Sequence, residues 1–503
     1  MKLSFKGSVA IILSELLVLM PACSHPPKVG APAPAPPQGI EPLSRELRKP
    51  YLELFKISSE LQFSNSEIRQ MSQYLQKGED YCVGQFKARA HKLASEVSQA
   101  KKQLNRNSGS NGEEHAQRCK IQNLELLESQ AKVLYQHAIP VAYENRQAKL
   151  ELIQNWPSDL KTIKEEIANG SYRNRRWGDV KDIGFRTIVP GQKDDIPLGQ
   201  EEVRQMKSSG MLPPEVKDQE IDDYVNSVAQ NVARHSDLQI PLHVTVLNSK
   251  EINAFALPGG YLFVERGLLQ AADNESELAG VIGHEIGHVV ARHGHQLMRQ
   301  ATIASIFYQA AQVAALVLTG GVAGIGTYYA LQYGFYGLGM LLSLKMLGVS
   351  REFELQADQL GIQYAWNSDY DPQGFIKFFD KMATKEGYVN GVSWFHTHPP
   401  FYTRMVDAER EIMFLPKKEH YIVNTKAFME MKKELKKVSA EANRREKNAP
   451  TLELTKNVKG CAPPRKFEFK PDEPIETLCQ SPNLVTGEKS GETAPEIQSG
   501  SPE

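Results

Sequence analysis

Apolar residues recur with a helical period over the first large segment of the 503-residue chain. Between about residues 42 and 157 they lie three or four positions apart among Glu, Lys and Gln, as in LFKISSELQFSNSEIRQMSQYL. This spacing predicts long amphipathic helices. The polar stretch NRNSGSNGEE interrupts the period, and its Asn, Ser and Gly residues favour a turn. Residues 42–157 are therefore predicted to form a coiled-coil-like helical hairpin domain.

A second region, residues 199–420, combines helical and strand patterns. The segment IDDYVNSVAQNVARH has a helical period, LHVTVLN and GYLFVERG are typical of strands, and the rest of the region is typical of helices. Residues 158–198 form a polar connecting segment, and residues 421–503 are predicted to contain a charged helix and a largely disordered tail. The predicted fold class is α+β and mainly helical, with a small sheet.

The N-terminus has the pattern of an export signal. Lys2 and Lys6 precede the apolar run VAIILSELLVLM, which is too short for a comfortable membrane span. A signal peptide over residues 1–22 and a Pro/Ala-rich tether over residues 23–41 are predicted. The stretch LMPACS resembles the lipobox of bacterial lipoproteins, which implies acylation of Cys23 and anchoring on the periplasmic side of the envelope, at the outer membrane. A plain cleaved signal and an uncleaved anchor are the alternatives.

Four cysteines remain once Cys23 is assigned to lipid. An exported chain meets an oxidising compartment, so an even number of cysteines predicts disulfides. The pairing expected is the local one, between neighbours in sequence, and crossed bridges or free thiols remain open. The expected bridges are Cys82 to Cys119 and Cys461 to Cys479.

Charge excludes one class of partner. Lys and Arg total 59 against 60 Asp and Glu, and no long basic run is interleaved with aromatic residues. The electrostatic footprint of a nucleic-acid-binding protein is therefore absent from the sequence.

The stretch GVIGHEIGHVVARHGH carries the candidate chemistry. His284 and His288 are four positions apart on a predicted helix, so both imidazoles face one side, with Glu285 beside the first. Two imidazoles suit zinc, and a catalytic zinc site needs a third protein ligand and an open position for water. His293 and His295 lie off this face and are expected to be structural or solvent-exposed.

A third ligand is sought downstream, because the metzincin pattern fails where Ala291 and Gly294 occupy its Gly and His positions. The segment SREFELQADQLG offers Glu354 and Asp358 at helical spacing. Glu354 is the predicted third ligand, and Asp358 is predicted to orient a ligating imidazole.

With these residues the chain resembles the gluzincin peptidase family that includes the CAAX prenyl protease, the mitochondrial inner-membrane stress protease and the bacterial beta-barrel assembly-enhancing protease. The resemblance covers about residues 199–413 and rests on NAFALPGGYLFVERGLL, ELAGVIGHEIGHVVARH, SREFELQADQLG and THPPFYTR. It implies an HExxH zincin domain with one zinc and a glutamate general base. The residues implied are His284, His288 and Glu354 as ligands, Glu285 as base and Asp358 as support.

The remaining site candidates surround this centre. The strand GYLFVERG is predicted to offer an edge to an extended peptide, and an internal strand is the alternative. Asn253, Ala254 and Phe255 before it are the predicted cleft residues. His398 is predicted to occupy the open position of the metal and keep the enzyme latent; a transition-state donor and a structural loop histidine are the alternatives. Arg404, or else Tyr402, is the candidate for oxyanion stabilisation.

The uncharged residues 300–344 raise the question of a membrane span. A single span would separate Glu354 from His284 across the bilayer, so only zero or two spans fit the chemistry, and no span is favoured.

Together with this resemblance, the patterns predict a zinc-dependent endopeptidase of the bacterial cell envelope that cleaves misfolded or unassembled envelope proteins. The helical hairpin is expected to contact envelope assembly machinery. The alternative is a non-enzymatic chaperone or assembly factor that uses the same cleft to hold chains.

Overall fold

A computed structural model gives a mainly helical architecture with a small mixed sheet. It describes residues 32–106, 111–208, 212–250, 252–298, 351–382 and 402–446, with residues 461, 465–467, 479 and 484–486. The predicted lipidation site Cys23, the loop residue His398 and the apolar residues 300–344 lie outside these ranges. Within the described part of the chain, no helix combines the length and the apolar character that crossing a bilayer requires.

The described residues between 41 and 169 form a series of helices. They are α1 (Glu41–Glu46), α2 (Tyr51–Ile57), α3 (Asn65–Arg106), α4 (Asn111–Val133) and α5 (Ile139–Asn169), with a short π-helix at Leu134–Ala138 between the last two. Helices α3 and α4 pack together as a hairpin, in which Lys101 Nζ lies 2.7 Å from Glu125 Oε1 and Gln117 Nε2 donates to the carbonyl of Ala100 at 3.1 Å.

Helix α5 extends beyond the predicted end of the hairpin at residue 157. Pro157 lies inside the helix, which continues to Asn169 and buries Ile163. Proline lacks an N–H group and usually disrupts a helix interior, yet this helix continues past it. The helix also docks on the second half of the chain, because the buried Lys149 ammonium lies 3.1 Å from Asp380 Oδ1.

The second half contains the sheet and the helices around it. Its elements are α6 (Ile196–Ser208), α7 (Gln219–Arg234), β1 (His243–Leu247), β2 (Ala254–Leu257), β3 (Tyr261–Glu265), α8 (Arg266–Ala271), α9 (Glu275–Val290), α10 (His293–Met298), α11 (Arg351–Asn367), α12 (Gln373–Lys381), α13 (Tyr402–Phe414) and α14 (Lys426–Glu446). Two short strands of the tail, β4 (Arg465–Phe467) and β5 (Leu484–Thr486), pair with each other.

The three-stranded sheet has the order β1, β3, β2. Strand β3 pairs in parallel with β1 and antiparallel with β2. The prediction that GYLFVERG offers an edge to a peptide is therefore wrong, because that segment is the central strand and is hydrogen-bonded on both sides. Among the described residues β2 pairs with β3 alone, so its outer edge has no partner strand there.

Helix α9 begins and packs as its sequence dictates. The Asn274 side chain accepts the N–H of Glu277 at 3.1 Å, and the Glu277 carboxylate accepts the N–H of Asp273 at 3.0 Å, so the first turn is capped from both directions. Glycines then bring neighbouring backbones close: a Cβ on Gly283 would lie 2.8 Å from the carbonyl oxygen of Gly361. This close approach places α11 directly against α9.

The two disulfides cross between the tail and the helical hairpin. Cys82 pairs with Cys479 and Cys119 with Cys461, so the predicted local pairing is wrong. The reason is helix length: Gln117 lies against Ala100, so Cys82 and Cys119 are displaced from each other along the hairpin by about 24 Å at 1.5 Å per residue. Phe467 of β4 packs edge-on against Phe86 at 5.5 Å and holds the tail on the hairpin.

Peptide mapping of the non-reduced protein checks this connectivity. Proteolytic fragments are expected to link Cys82 to Cys479 and Cys119 to Cys461, because these pairs have Cα atoms 5.4 Å apart. The same fragments should separate after reduction. Recovery of a Cys82 to Cys119 peptide from the folded protein would contradict the docking of the tail.

Candidate metal centre

Three side chains from two helices converge beside the sheet. Nε2 of His284 and Nε2 of His288, both on α9, are 3.0 Å apart. Glu354 on α11 places Oε2 3.7 Å from the His284 nitrogen and Oε1 3.5 Å from the His288 nitrogen. Ligand atoms held at about 2.0–2.2 Å by one tetrahedral zinc are separated by about 3.3–3.5 Å, so this donor set fits a zinc ion. The structure thus brings together the three predicted ligands.

Asp358 supports the first histidine. Its Oδ1 atom lies 2.9 Å from Nδ1 of His284, which directs the opposite ring nitrogen towards the other two ligand atoms. Burial opposes ionisation of this carboxyl, but the charge of Arg404 and the hydrogen bond with His284 outweigh it and hold the pKa of Asp358 below its ordinary value. Asp358 is therefore an anionic acceptor, as its sequence position predicted.

The guanidinium of Arg404 lies against the carboxylates of Asp358 and Glu354. Its side chain is fully buried, and Nε and Nη2 donate to the two oxygens of Asp358 at 2.7 Å each. Nη1 lies 3.1 Å from Oε2 of Glu354. The prediction that Arg404 stabilises an oxyanion is wrong, because its guanidinium is committed to these two carboxylates. Arg404 is a positioning residue; the alternative candidate, the Tyr402 side chain, and His398 lie outside the described residues.

Replacement of Arg404 by Met should destabilise the zinc-free fold strongly. Two buried carboxylates would lose their counter-charge, which costs about 3–5 kcal/mol of unfolding free energy. Arg410→Met is the matched control on the same helix, because Arg410 is 40% exposed and pairs with Glu166 near the surface, an interaction worth about 1 kcal/mol or less. Urea unfolding of both variants measures the difference. Equal small losses would show that Arg404 does not support the carboxylates.

Glu285 is buried next to the ligands. Its side chain is 2% exposed, and burial followed by the nearby Glu354 carboxylate raises the pKa of Glu285 well above its ordinary value. A hydrogen bond from the backbone N–H of Ala256 opposes this shift. Strand β2 therefore touches the candidate general base directly.

The predicted cleft residues Asn253, Ala254 and Phe255 lie in or just before β2, and all three are buried. The Phe255 ring stacks on Phe263 at 4.8 Å in the small core beneath α6. The prediction that it lines a cleft is wrong, since the side chain points into packed protein. The accessible part of β2 is its second half, at Ala256 and Leu257, which are half-buried.

His293 was expected to lie off the ligand face as a structural or solvent-exposed residue, and its ring contacts the ligand His288. Its Nδ1 atom lies 2.8 Å from Nδ1 of His288, and burial lowers the pKa of His293 to about 4, so the ring is neutral. Helical spacing could not reveal this contact, because His293 follows the end of α9 at Val290. His295, in contrast, is about one-third exposed and lies 2.8 Å from Oδ1 of Asp195.

The chain is similar to known peptidases over this region. Residues 215–412 match the family model of peptidase family M48. The beta-barrel assembly-enhancing protease of Yersinia pestis is 31% identical over 222 residues, 42% of this chain and 43% of the relative. The protein of that name from Escherichia coli (strain K12) is 29% identical over 230 residues, 44% of each chain. Mitochondrial metalloendopeptidase OMA1 of Schizosaccharomyces pombe is 31% identical over 181 residues, 35% of this chain and 48% of the relative.

The chain therefore spans less than half the length of these curated relatives, and the family match contains the two histidines, the glutamate and the helices that position them. Residues 215–412 are thus similar to peptidase family M48, and this segment contains the three side chains that could hold a metal ion.

Proposed function

We propose that the protein is a zinc-dependent endopeptidase that hydrolyses peptide bonds in proteins of the bacterial cell envelope. The observation that carries this proposal is the convergence of three ligand atoms, from His284, His288 and Glu354, within 4.8 Å of one another. Glu285 lies beside them in the same buried site. Two imidazoles and one carboxylate leave a fourth position free for water, as hydrolytic zinc sites require.

The chain's own residues provide the proton transfers. When bound, zinc lowers the pKa of a water molecule and polarises a peptide carbonyl. The Glu285 carboxylate accepts the proton of the attacking water and then delivers it to the nitrogen of the leaving amine.

Strand β2 is the proposed docking strand for the substrate. Its outer edge carries no partner strand among the described residues, and Ala256 links it to Glu285. An extended peptide added to this edge would be held through backbone hydrogen bonds, which give affinity with little sequence selectivity. Such binding favours unfolded or unassembled chains, whose backbones are free to pair.

The segments before the catalytic domain carry the proposed membrane anchor and the proposed adaptor. Acylation of Cys23 would anchor the chain to the outer membrane, with the domain on the periplasmic side. The helical hairpin α3–α4 is the proposed contact for assembly machinery, by analogy with the relatives named beta-barrel assembly-enhancing protease. Helix α5, which follows the hairpin, joins it to the peptidase, since Lys149 contacts Asp380 and Glu166 contacts Arg410.

Comparison of one substrate in two states tests the proposal. An outer-membrane barrel protein is incubated with the mature protein, once unfolded in dilute urea and once folded in detergent, with and without a zinc chelator. Cleavage of the unfolded form alone, and its loss with chelator, is the expected result. Tight binding of the unfolded form without cleavage, at full zinc content, would instead support the chaperone alternative, which has no need of Glu285.

A further inference from the structure

We infer that His293, which is not a metal ligand, is a positioning residue that fixes the tautomer and the orientation of the ligand His288. This inference rests on the proposed zinc site and adds a residue to it. Its basis is a series of hydrogen bonds that runs from His288 through His293 to helix α11.

The series begins at the ring of His288. Nε2 of this ring faces the other ligand atoms, at 3.0 Å from His284 Nε2 and 3.5 Å from Glu354 Oε1. Nδ1 points away from them and lies 2.8 Å from Nδ1 of His293. A metal-binding imidazole is neutral and keeps its proton on the nitrogen that does not face the metal. His288 Nδ1 is therefore the donor and His293 Nδ1 the acceptor.

The second ring nitrogen of His293 completes the assignment. With Nδ1 accepting, the proton of the neutral ring is on Nε2, which lies 3.1 Å from Oε1 of Gln356. The amide oxygen can accept this proton and cannot donate one. Gln356 follows Glu354 by two residues on α11, so the hydrogen bonds connect the helix of one ligand with the helix of another.

The backbone conformation just before His293 directs its side chain towards His288. Arg292 has a φ of 55°, in the left-handed region that residues other than glycine rarely adopt. Its guanidinium holds the turn through a bidentate contact with Asp195, at 2.7 and 2.6 Å. The His293 ring is 1% exposed and stacks on Phe353 with centroids 4.2 Å apart. A left-handed turn, an ion pair and a stacked ring all fix the same imidazole.

The two ligating histidines are thus supported differently. His284 contacts an anionic carboxylate, that of Asp358, whereas His288 contacts a neutral ring. A neutral acceptor orients His288 without adding negative charge to a site that already contains Glu354 and Glu285. Loss of such an outer partner commonly weakens metal affinity about 10-fold to 100-fold.

Two substitutions of His293 separate hydrogen bonding from packing. His293→Phe keeps a ring that can stack on Phe353 but removes the acceptor. His293→Asn places an amide oxygen near the position of Nδ1 and so restores the acceptor in a smaller side chain. His243→Phe is the control, at an exposed histidine whose ring also stacks on an aromatic ring, that of Tyr261, and which is not one of the three ligands.

Zinc affinity is measured by competition with a chromophoric chelator, and the visible spectrum of the cobalt-loaded protein reports the ligand geometry. His293→Phe is expected to bind zinc about 10-fold to 100-fold more weakly and to shift the cobalt bands. His293→Asn should recover most of the lost affinity, and His243→Phe should stay within about 2-fold of the wild type. A stably folded His293→Phe protein with wild-type affinity and spectrum would overturn the inference.

A second pair of variants covers the case in which His293→Phe does not fold. Gln356 is half-buried, so Gln356→Leu should fold, and loss of the Nε2 partner should weaken zinc binding by about 3-fold to 10-fold. Gln356→Glu keeps a hydrogen-bond acceptor and should retain the zinc affinity. Equal zinc affinities of the Gln356→Leu and Gln356→Glu proteins would also overturn the inference. Failure of the wild type to bind zinc would instead refute the proposed function.

Discussion

Replacement of Glu285 by Gln is expected to abolish peptide hydrolysis while zinc stays bound. Gln has nearly the shape of Glu but cannot accept the proton of the attacking water or deliver it to the leaving amine. General acid–base catalysis contributes about 10²-fold to 10⁴-fold, so kcat should fall by that factor. Glu285 is not one of the three converging ligands, so metal content should remain at about one zinc per chain.

Single-turnover cleavage of an unfolded polypeptide, with zinc content determined on the same sample, measures both effects. Glu220→Gln is the control, because Glu220 is an exposed residue in the first turn of α7 and its loss should change neither quantity. Substrate should remain bound to the Glu285→Gln protein and uncut. A kcat within about 10-fold of the wild type would remove Glu285 from the role of general base.

Replacement of Glu354 by Ala is expected to remove zinc. The change deletes one of three protein ligands and leaves the Nη1 atom of Arg404 without the carboxylate that lies 3.1 Å away. The loss of zinc affinity should exceed the roughly 10-fold to 100-fold that removal of an outer partner causes. Hydrolysis should disappear with the metal, in contrast to Glu285→Gln, which keeps it.

Equilibrium dialysis against zinc buffers measures this loss. Glu352→Ala is the matched control, because Glu352 lies two residues earlier on α11, is exposed and pairs with Arg176. It should bind zinc as the wild type does. Full zinc occupancy of the Glu354→Ala protein would refute the ligand assignment.

The centre of the site was predictable because helical geometry is regular. Residues four positions apart share a face, so the sequence alone pairs His284 with His288 and Glu354 with Asp358. The close approach of the two helices at the glycines 283 and 361 then brings the two pairs together. Both pairs can therefore be predicted from the local sequence and the helical period alone.

The direction of Arg404 and the approach of His293 were not predictable in this way. A motif places Arg404 near the metal but does not say whether it faces the substrate or the carboxylates; that depends on how α13 packs against α11. His293 reaches His288 through a left-handed residue after the end of the helix, where the helical period no longer applies.

The disulfide pairing could have been corrected from the sequence. Cys82 precedes the hairpin turn by roughly 25 residues and Cys119 follows it by roughly 9, so at about 1.5 Å per residue the two are at different heights on antiparallel helices.

The order of the strands could not be predicted from the sequence in this way. Pairing of β1 with β3 is parallel and connects segments that are not adjacent in the chain, which local patterns do not encode.

Titration of the zinc-free protein with zinc, followed by its proteolytic activity on an unfolded polypeptide, tests the central claim most directly. Activity should rise linearly from zero and break at one zinc per chain, because a single centre of His284, His288 and Glu354 holds the metal. Proteolysis by the zinc-free protein, or saturation that does not depend on added zinc, would contradict the account.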